Sequence, residues 1–187
     1  MSLRIIAGRH RGRRIEAPAG LATRPTSDRA RESLFSILEN GVPPLRGGRF
    51  LDLFAGSGAA GLEALSRGAA EAMFVDQASA AAHAIKSNIE ALGVGQQASL
   101  MRSDACRLPA APHPFDIVFL DPPYGSGLLA PALASLVDGG WLAVGGRIVG
   151  EVAAREPTEP LPAFVVEDER VYGAARLIFL RQEVTAG

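Results

Sequence analysis

Asp121-Pro-Pro-Tyr124 follows directly on the apolar run Ile117-Val-Phe-Leu120. Two successive prolines remove backbone donors and stiffen the turn, leaving carbonyls and the Asp121 side chain as fixed acceptors at a strand tip. Acceptors without competing donors suit an NH2 group. An exocyclic amine on a nucleobase is a poor nucleophile because its lone pair is delocalised into the ring. Holding both N–H bonds, on Asp121 and the Pro122 carbonyl, aims that lone pair at a methyl group, and Tyr124 supplies a face for the planar base. A bare Asp-Pro-Pro triplet reads as readily as a type I or II turn with a surface tyrosine. The complete motif, at a strand end and downstream of a glycine loop, points to methyl transfer to nitrogen.

That loop is Asp52-Leu-Phe-Ala-Gly-Ser-Gly-Ala-Ala-Gly61, at a strand end and opening a helix. Its glycines allow a tight turn and close backbone approach by a ligand. Gly56-x-Gly58-x-x-Gly61 also matches the dinucleotide fingerprint, in which pyrophosphate rests on the helix N-terminus. Here an acid lies four residues before the first glycine. A carboxylate at the strand tip would repel pyrophosphate and suit a ligand with sulfonium and amino groups, such as S-adenosylmethionine. Asp76 ends the next apolar run and can accept from both hydroxyls of a ribose, which by itself separates neither cofactor from the other. Asp104, past the third run, is placed to accept from an adenine amino group. Each acid alone reads as a solvated strand-end carboxylate; three at successive strand ends are better explained by a ligand crevice.

The elements that must carry these residues alternate. From Arg49 onward, apolar runs at Phe50 to Phe54, Ala72 to Val75, Ser99 to Met101, Phe115 to Leu120 and Arg147 to Val152 are separated by helical stretches at Ala59 to Arg67, Ser79 to Leu92 and Leu129 to Val137. This is the pattern of a parallel sheet with crossover helices. Phe164 to Glu169 and Ala175 to Leu180 flank Tyr172-Gly173 as a closing hairpin. Ahead of the body, Leu3 to Ala7 and Arg13 to Ala17 alternate as two short strands around Gly8 and Gly12, with Arg9, His10 and Arg11 at the tip. Thr23 to Asp28 supplies N-caps for a helix over Arg29 to Asn40, and Pro43, Pro44, Gly47 and Gly48 mark a linker. The division falls at 1–46 for the head and 47–187 for the body.

With 48% hydrophobic and 21% charged residues in 187, the chain is neither disordered nor fibrous and is long enough for one sizeable core. It has no apolar run of membrane-spanning length and no secretory leader pattern, so the cytoplasm is the default compartment. One cysteine, Cys106, forms no internal disulfide, and His10, His83 and His113 lack ligand spacing, so no metal is expected. Cys106 reads as a small packed residue rather than a nucleophile, and Trp141 as packing. Net charge is −1, but the first 31 residues hold eight arginines against Glu16 and Asp28, leaving +6. The remaining 11 basic and 18 acidic residues leave −7. A polyanion-binding head is the natural reading of that asymmetry.

Taken together, these segments resemble the class I S-adenosylmethionine-dependent methyltransferases, and within them the RsmD-type 16S ribosomal RNA guanine-N2 methyltransferases. The resemblance covers nearly the whole chain. Its family-specific part includes Arg4-Ile-Ile-Ala-Gly8, Gly12-Arg-Arg-Ile15, Arg24-Pro-Thr26, Arg31-Glu-Ser-Leu-Phe35, Gly61-Leu-Glu-Ala-Leu-Ser-Arg-Gly68 and Val171-Tyr-Gly173. It implies a Rossmann-like α/β body, doubly wound, with a seven-stranded, mostly parallel sheet whose last strand is antiparallel, behind a small N-terminal hairpin and helix. It further implies S-adenosylmethionine held by Asp52, Phe54, Ala55, Gly56, Gly58, Asp76, Gln77, Asp104 and Ala105. Asp121, Pro122 and Tyr124 would carry catalysis, without metal or covalent enzyme intermediate. Arg4, Arg9, Arg11, Arg13, Arg14, Arg24, Arg29 and Arg31, with Pro123, would contact 16S ribosomal RNA, free or in an assembling small subunit. Nothing suggests an obligate dimer. Other readings stay open: an amino-methyltransferase on DNA adenine or protein glutamine, an NAD-dependent oxidoreductase using the glycine loop, and a non-catalytic RNA-binding module.

Overall fold

Strands buried on both faces need continuous apolar runs, and those runs become the centre of the molecule. The computed structural model describes residues 3–18, 28–157 and 160–183. The head contributes a two-stranded antiparallel ribbon, β1 (Leu3–Arg4) and β2 (Arg14–Ile15), and helix α1 (Asp28–Glu39). The body follows as β3 (Arg49–Leu53), α2 (Ala59–Ser66), β4 (Glu71–Val75), α3 (Ser79–Leu92), β5 (Ala98–Met101), β6 (Phe115–Leu120), α4 (Leu129–Asp138), β7 (Leu142–Ala153), β8 (Phe164–Tyr172) and β9 (Ala175–Gln182). The seven-stranded sheet has the order β5-β4-β3-β6-β7-β9-β8. Only β9, the last strand in the chain, runs against its neighbours.

Two departures from the expected boundaries have physical causes. Gly145-Gly146 reads as a break before Arg147, yet β7 starts at Leu142. The ladder crosses the glycines by a shift in register, with Phe115 opposite Leu142 and Ile117 opposite Arg147. The expected capping loop before α1 lies outside the described residues except for Asp28, which begins the helix. Pro131 sits in the first turn of α4, where its missing donor is harmless.

Alternation along the strands sorts side chains onto two cores. Phe50, Phe74, Ile117 and Val149 face α2, α3 and the head, together with Leu62, Leu65 and Ile85. Leu51, Leu53, Val75, Val118 and Ile148 face the other way, against Leu133, Leu136 and Trp141. Trp141 is packing, as expected: its indole N–H bonds the Pro109 carbonyl and its ring stacks on Phe115. The head shares the first core, contributing Ile5, Ile15, Leu34, Phe35 and Leu38.

A buried carboxylate seats the ribbon on α2. Glu63 is 0% exposed; its two oxygens accept the backbone N–H groups of Ile6 at 2.7 Å and Ala7 at 2.9 Å, and the Arg67 guanidinium at 2.8 Å. Arg67 continues to Glu39 of α1 at 2.9 Å and lies over the Phe35 ring. At Gly8, with φ +80°, an added Cβ would fall 1.9 Å from the Ser66 carbonyl oxygen, so only glycine lets the ribbon come this close. Removing Glu63 takes the acceptor from two backbone amides and leaves the buried Arg67 with Glu39 as its remaining carboxylate. Glu63→Ala is therefore expected to destabilise by about 3–5 kcal/mol, measured as a fall in urea midpoint.

Candidate active site

The C-terminal ends of the parallel strands form one row. Met101, Val75, Leu53, Leu120 and Gly150 are paired successively across β5, β4, β3, β6 and β7. Chain connections leave β3 toward β4 on one side and β6 toward β7 on the other, so the order reverses between β3 and β6. Ligands of doubly wound sheets bind where such a reversal opens a crevice. A cleft of about 550 Å³ lies there. Asp76, Asp121 and Glu151, each one step beyond the row, line it together with Phe54 and Gly56.

The glycine loop folds under its own constraints. Phe54, Gly56 and Gly58 have φ values of 58°, 54° and 77°, and the Gly58 N–H turns back onto the Ala55 carbonyl at 2.7 Å to start α2. Gly61 serves packing: a Cβ there would lie 2.3 Å from the Phe74 ring. Neither Ala55 nor Gly58 lines the cleft, whereas Phe54 and Gly56 do.

Asp52 corrects the electrostatic part of the sequence reading. It shares the parity of Phe50 and therefore points beneath the loop toward α2, at 2% exposure, rather than out at the tip. Its Oδ2 accepts the Gly61 N–H at 2.8 Å. Burial pushes its pKa up to about 8; the Gly61 hydrogen bond opposes the shift and the charge on Asp76 adds to it. A carboxyl in that state anchors a helix start and does not present a fixed negative charge to a ligand.

Asp76 is the acid at the cleft wall. Its Oδ2 accepts the Gly56 N–H at 2.9 Å and its Oδ1 the Ala78 N–H at 2.8 Å, so one carboxylate ties the glycine loop to the start of α3. Each oxygen keeps a second lone pair, the pair of acceptors a vicinal diol needs. Gln77, Ser103 and Ala105 continue the wall. Asp104 turns its Oδ1 to the Cys106 N–H at 2.9 Å. Cys106 packs against the second core, with burial first and Asp104 next holding its thiol above the ordinary value, which leaves it a poor nucleophile.

On the opposite wall the Asp121 N–H reaches the Leu53 carbonyl at 3.3 Å, which fixes the motif relative to the glycine loop. Pro122 is buried, Pro123 exposed and Tyr124 half-buried. The Tyr124 hydroxyl donates to Glu151 Oε1 at 2.7 Å. Glu151 is absent from the sequence reading, although a single acid inside the apolar run of β7 was the signal for it.

The head arginines divide. Arg31 is 2% exposed; it donates to the Arg4 carbonyl at 2.8 Å and pairs with Asp28 at 3.0 Å, so it is a structural residue rather than a phosphate contact. Its spacing with Leu34, Phe35 and Leu38 already places it on the buried stripe of α1. Arg4, Arg9, Arg11, Arg13, Arg14 and Arg29 are exposed, and Arg24 lies outside the described residues. The ribbon tip sits at the C-terminal end of α2, where the Arg9 N–H bonds the Ser66 carbonyl, and the Arg9 and Arg13 side chains reach Gln97 and the Ala91 carbonyl. Since α2 begins at the cleft, the tip lies toward the opposite ends of the strands, where Gln97 precedes β5. His10 is half-buried, not an open tip residue, and burial, then Arg9 and Arg13, lower its pKa. Among the described residues no group of three His, Cys, Asp or Glu could hold a metal, and no helix is long and apolar enough to cross a membrane.

The family described as "Conserved hypothetical protein 95" matches residues 3–181. The chain belongs to this family. It is 39% identical over 173 residues to "Ribosomal RNA small subunit methyltransferase D" of Escherichia coli (strain K12), covering 91% of this chain and 85% of that one. It is 45% identical over 140 residues to "Putative rRNA methyltransferase YlbH" of Bacillus subtilis (strain 168), covering 73% and 74%. The solved structure "Putative methyltransferase yhhF from Escherichia coli" superposes with a TM-score of 0.83 at 36% identity, over 99% of this chain and all of that one. The fold is accordingly that of the class I methyltransferases.

The Asp52 carboxyl gives this family member a testable pH response. With its folded pKa raised to about 8 from 3.8, its contribution to stability is fully present below the unfolded value and is lost as pH rises through the folded one. Asp52→Asn keeps an oxygen for the Gly61 N–H without a titrating charge. The variant is expected to be more stable than wild type at pH 9, with the difference shrinking toward pH 4, in urea unfolding series across that range.

Proposed function

We propose that the chain transfers a methyl group from S-adenosylmethionine to the exocyclic N2 of a guanine in small-subunit ribosomal RNA. The observation that carries this reading is the opening of Asp121-Pro122-Pro123-Tyr124 onto the same cleft as Asp76 and the glycine loop. A nucleobase amine held at one wall thereby meets a nucleoside cofactor held at the other. The names of the relatives support the substrate class, and the exposed arginines of the head suit a polyanion.

The cleft fits the cofactor chemically. Asp76 would hold the ribose hydroxyls through its remaining lone pairs, Phe54 and Gly56 would border the amino-acid portion, and Ser103 to Ala105 with Gln77 would border the adenine. When bound, the cofactor supplies an electrophilic methyl group on sulfonium. Asp121 and the Pro122 carbonyl accept the two N–H bonds of the target amine and orient its lone pair, while the Tyr124 ring stacks on the base. The amine nitrogen would give up one of those protons on accepting the methyl group, and Asp121, which would hold that N–H, would be its acceptor. Proximity and alignment carry the rate, with no covalent enzyme intermediate. Cleft and ribbon tip lie toward opposite ends of the parallel strands, so the RNA would be held at two separated places.

Labelled methyl transfer to small-subunit particles lacking the modification, followed by digestion to nucleosides, tests the reading. N2-methylguanosine is expected with wild type. Asp121→Ala should lower the rate by about 10²-fold or more, with S-adenosylhomocysteine affinity within a few-fold of wild type. Label on another base, on DNA or on protein would overturn the substrate assignment. The triple change Arg9→Ala, Arg11→Ala, Arg13→Ala is expected to weaken RNA binding and flatten the slope of log affinity against log salt by about 2–3. Because the tip is remote from the cleft, its turnover at saturating RNA should match wild type.

A further inference from the structure

Glu151 is a carboxylate placed where an apolar side chain would be the easy choice. It lies between buried Gly150 and Val152 on β7, is 1% exposed, and faces the cleft. Burying such a group is unfavourable unless its oxygens are bonded, and Oε1 accepts the Tyr124 O–H at 2.7 Å. A second acid, three residues past the end of β7, holds the main chain beside it. Glu156 Oε2 accepts the Gly125 N–H at 3.0 Å and the Ala153 N–H at 3.2 Å. Gly125 and Gly127 both adopt φ +67°. The Glu151 and Glu156 contacts hold this segment at the Tyr124 hydroxyl and at the Gly125 amide.

We propose that Glu151 is a positioning residue for amine methylation: by accepting the Tyr124 hydroxyl it fixes the plane of the ring on which the target base lies, and so the direction of the amine lone pair. The proposal rests on assigning the cleft to methyl transfer. In-line displacement tolerates little angular error, and a misplacement of about 1 Å costs about 10²-fold in rate. A bond that sets the ring angle therefore acts on turnover rather than on binding.

The test is a double-mutant cycle on the full chain, using Tyr124→Phe, Glu151→Leu, their combination, and Glu151→Gln, whose amide oxygen can still accept the hydroxyl. Methyl transfer to small-subunit particles is measured at saturating cofactor, with KM for the particle, S-adenosylhomocysteine affinity and thermal midpoints alongside. Tyr124→Phe and Glu151→Leu are each expected to lower kcat by about tenfold, with KM and cofactor affinity within about threefold. The combination should fall no further than either single change, and Glu151→Gln should recover most of the rate. Wild-type kcat in Tyr124→Phe, or multiplicative losses in the combination, would overturn the proposal. Should Glu151→Leu fail to fold, Tyr124→Phe and Glu151→Gln still decide it: loss in the first with recovery in the second upholds the bond, and any other pattern refutes it. Wild type without transfer to any particle would bring down the methyl-transfer assignment and this proposal with it; active wild type with unaffected variants would remove only the positioning role.

Discussion

The seat of Glu63 beneath the ribbon is the interaction on which the rest depends. Helix α2 is only eight residues long, and seven of them are buried. Its first turn receives the glycine loop and its last turn receives the head, so the same short rod sets both ends of the molecule. An uncompensated carboxylate could not be buried there. The two amides of Ile6 and Ala7 and the Arg67 guanidinium make it tolerable, and in doing so they fix where the ribbon lies. Arg67 then relays the constraint to α1 through Glu39 and the Phe35 ring.

Acids with similar surroundings in the sequence end up in different states. Asp52 and Asp76 flank the same loop on the same face of the sheet, since Asp52 pairs with Phe74, two residues before Asp76; the first lies inside β3 and is buried beneath the loop, whereas the second stands one residue past the end of β4 and lines the cleft. The buried one is raised well above the carboxylate range by desolvation, whereas the outer one spends its lone pairs on Gly56 and Ala78. Asp121 stands at the end of β6, where the prolines behind it remove competing donors. Chemistry at this row of strand ends is thus decided by how far along its strand each acid lies rather than by residue type alone.

How much of this was legible in the sequence varies by the kind of signal. The central strands and α3 were readable because fully buried strands appear as apolar runs, and because Gly93, at φ +67°, marks the end of α3 in sequence as in space. The crevice was legible in part: of the three strand-end acids Asp76 lines it, with Phe54 and Gly56 of the glycine loop, whereas Asp52 and Asp104 do not. Long-range pairing was not. Nothing local in Glu63 announces the amides of residues 6 and 7, more than fifty positions away. Glu151 is marked in the sequence only as the one acid in the run Arg147 to Val152, and its partner, Tyr124, lies beyond the end of a different strand. Arg31 was misread through composition: counted among eight head arginines it looked electrostatic, while its helical spacing put it in the core.

Asn88 has a consequence for modularity. From the buried side of α3 its amide donates both to the Glu16 carbonyl, where the chain leaves the ribbon, and to the Ser57 carbonyl inside the glycine loop, and its oxygen accepts the Glu16 N–H. An appendage that merely hung from a catalytic domain could be trimmed or exchanged between relatives as a cassette. Here the appendage and the glycine loop share one side chain's hydrogen bonds, and a transplanted head would have to meet that amide in the same place. Divergence in the head is therefore coupled to divergence in the loop, and the two segments are expected to exchange as one heritable unit.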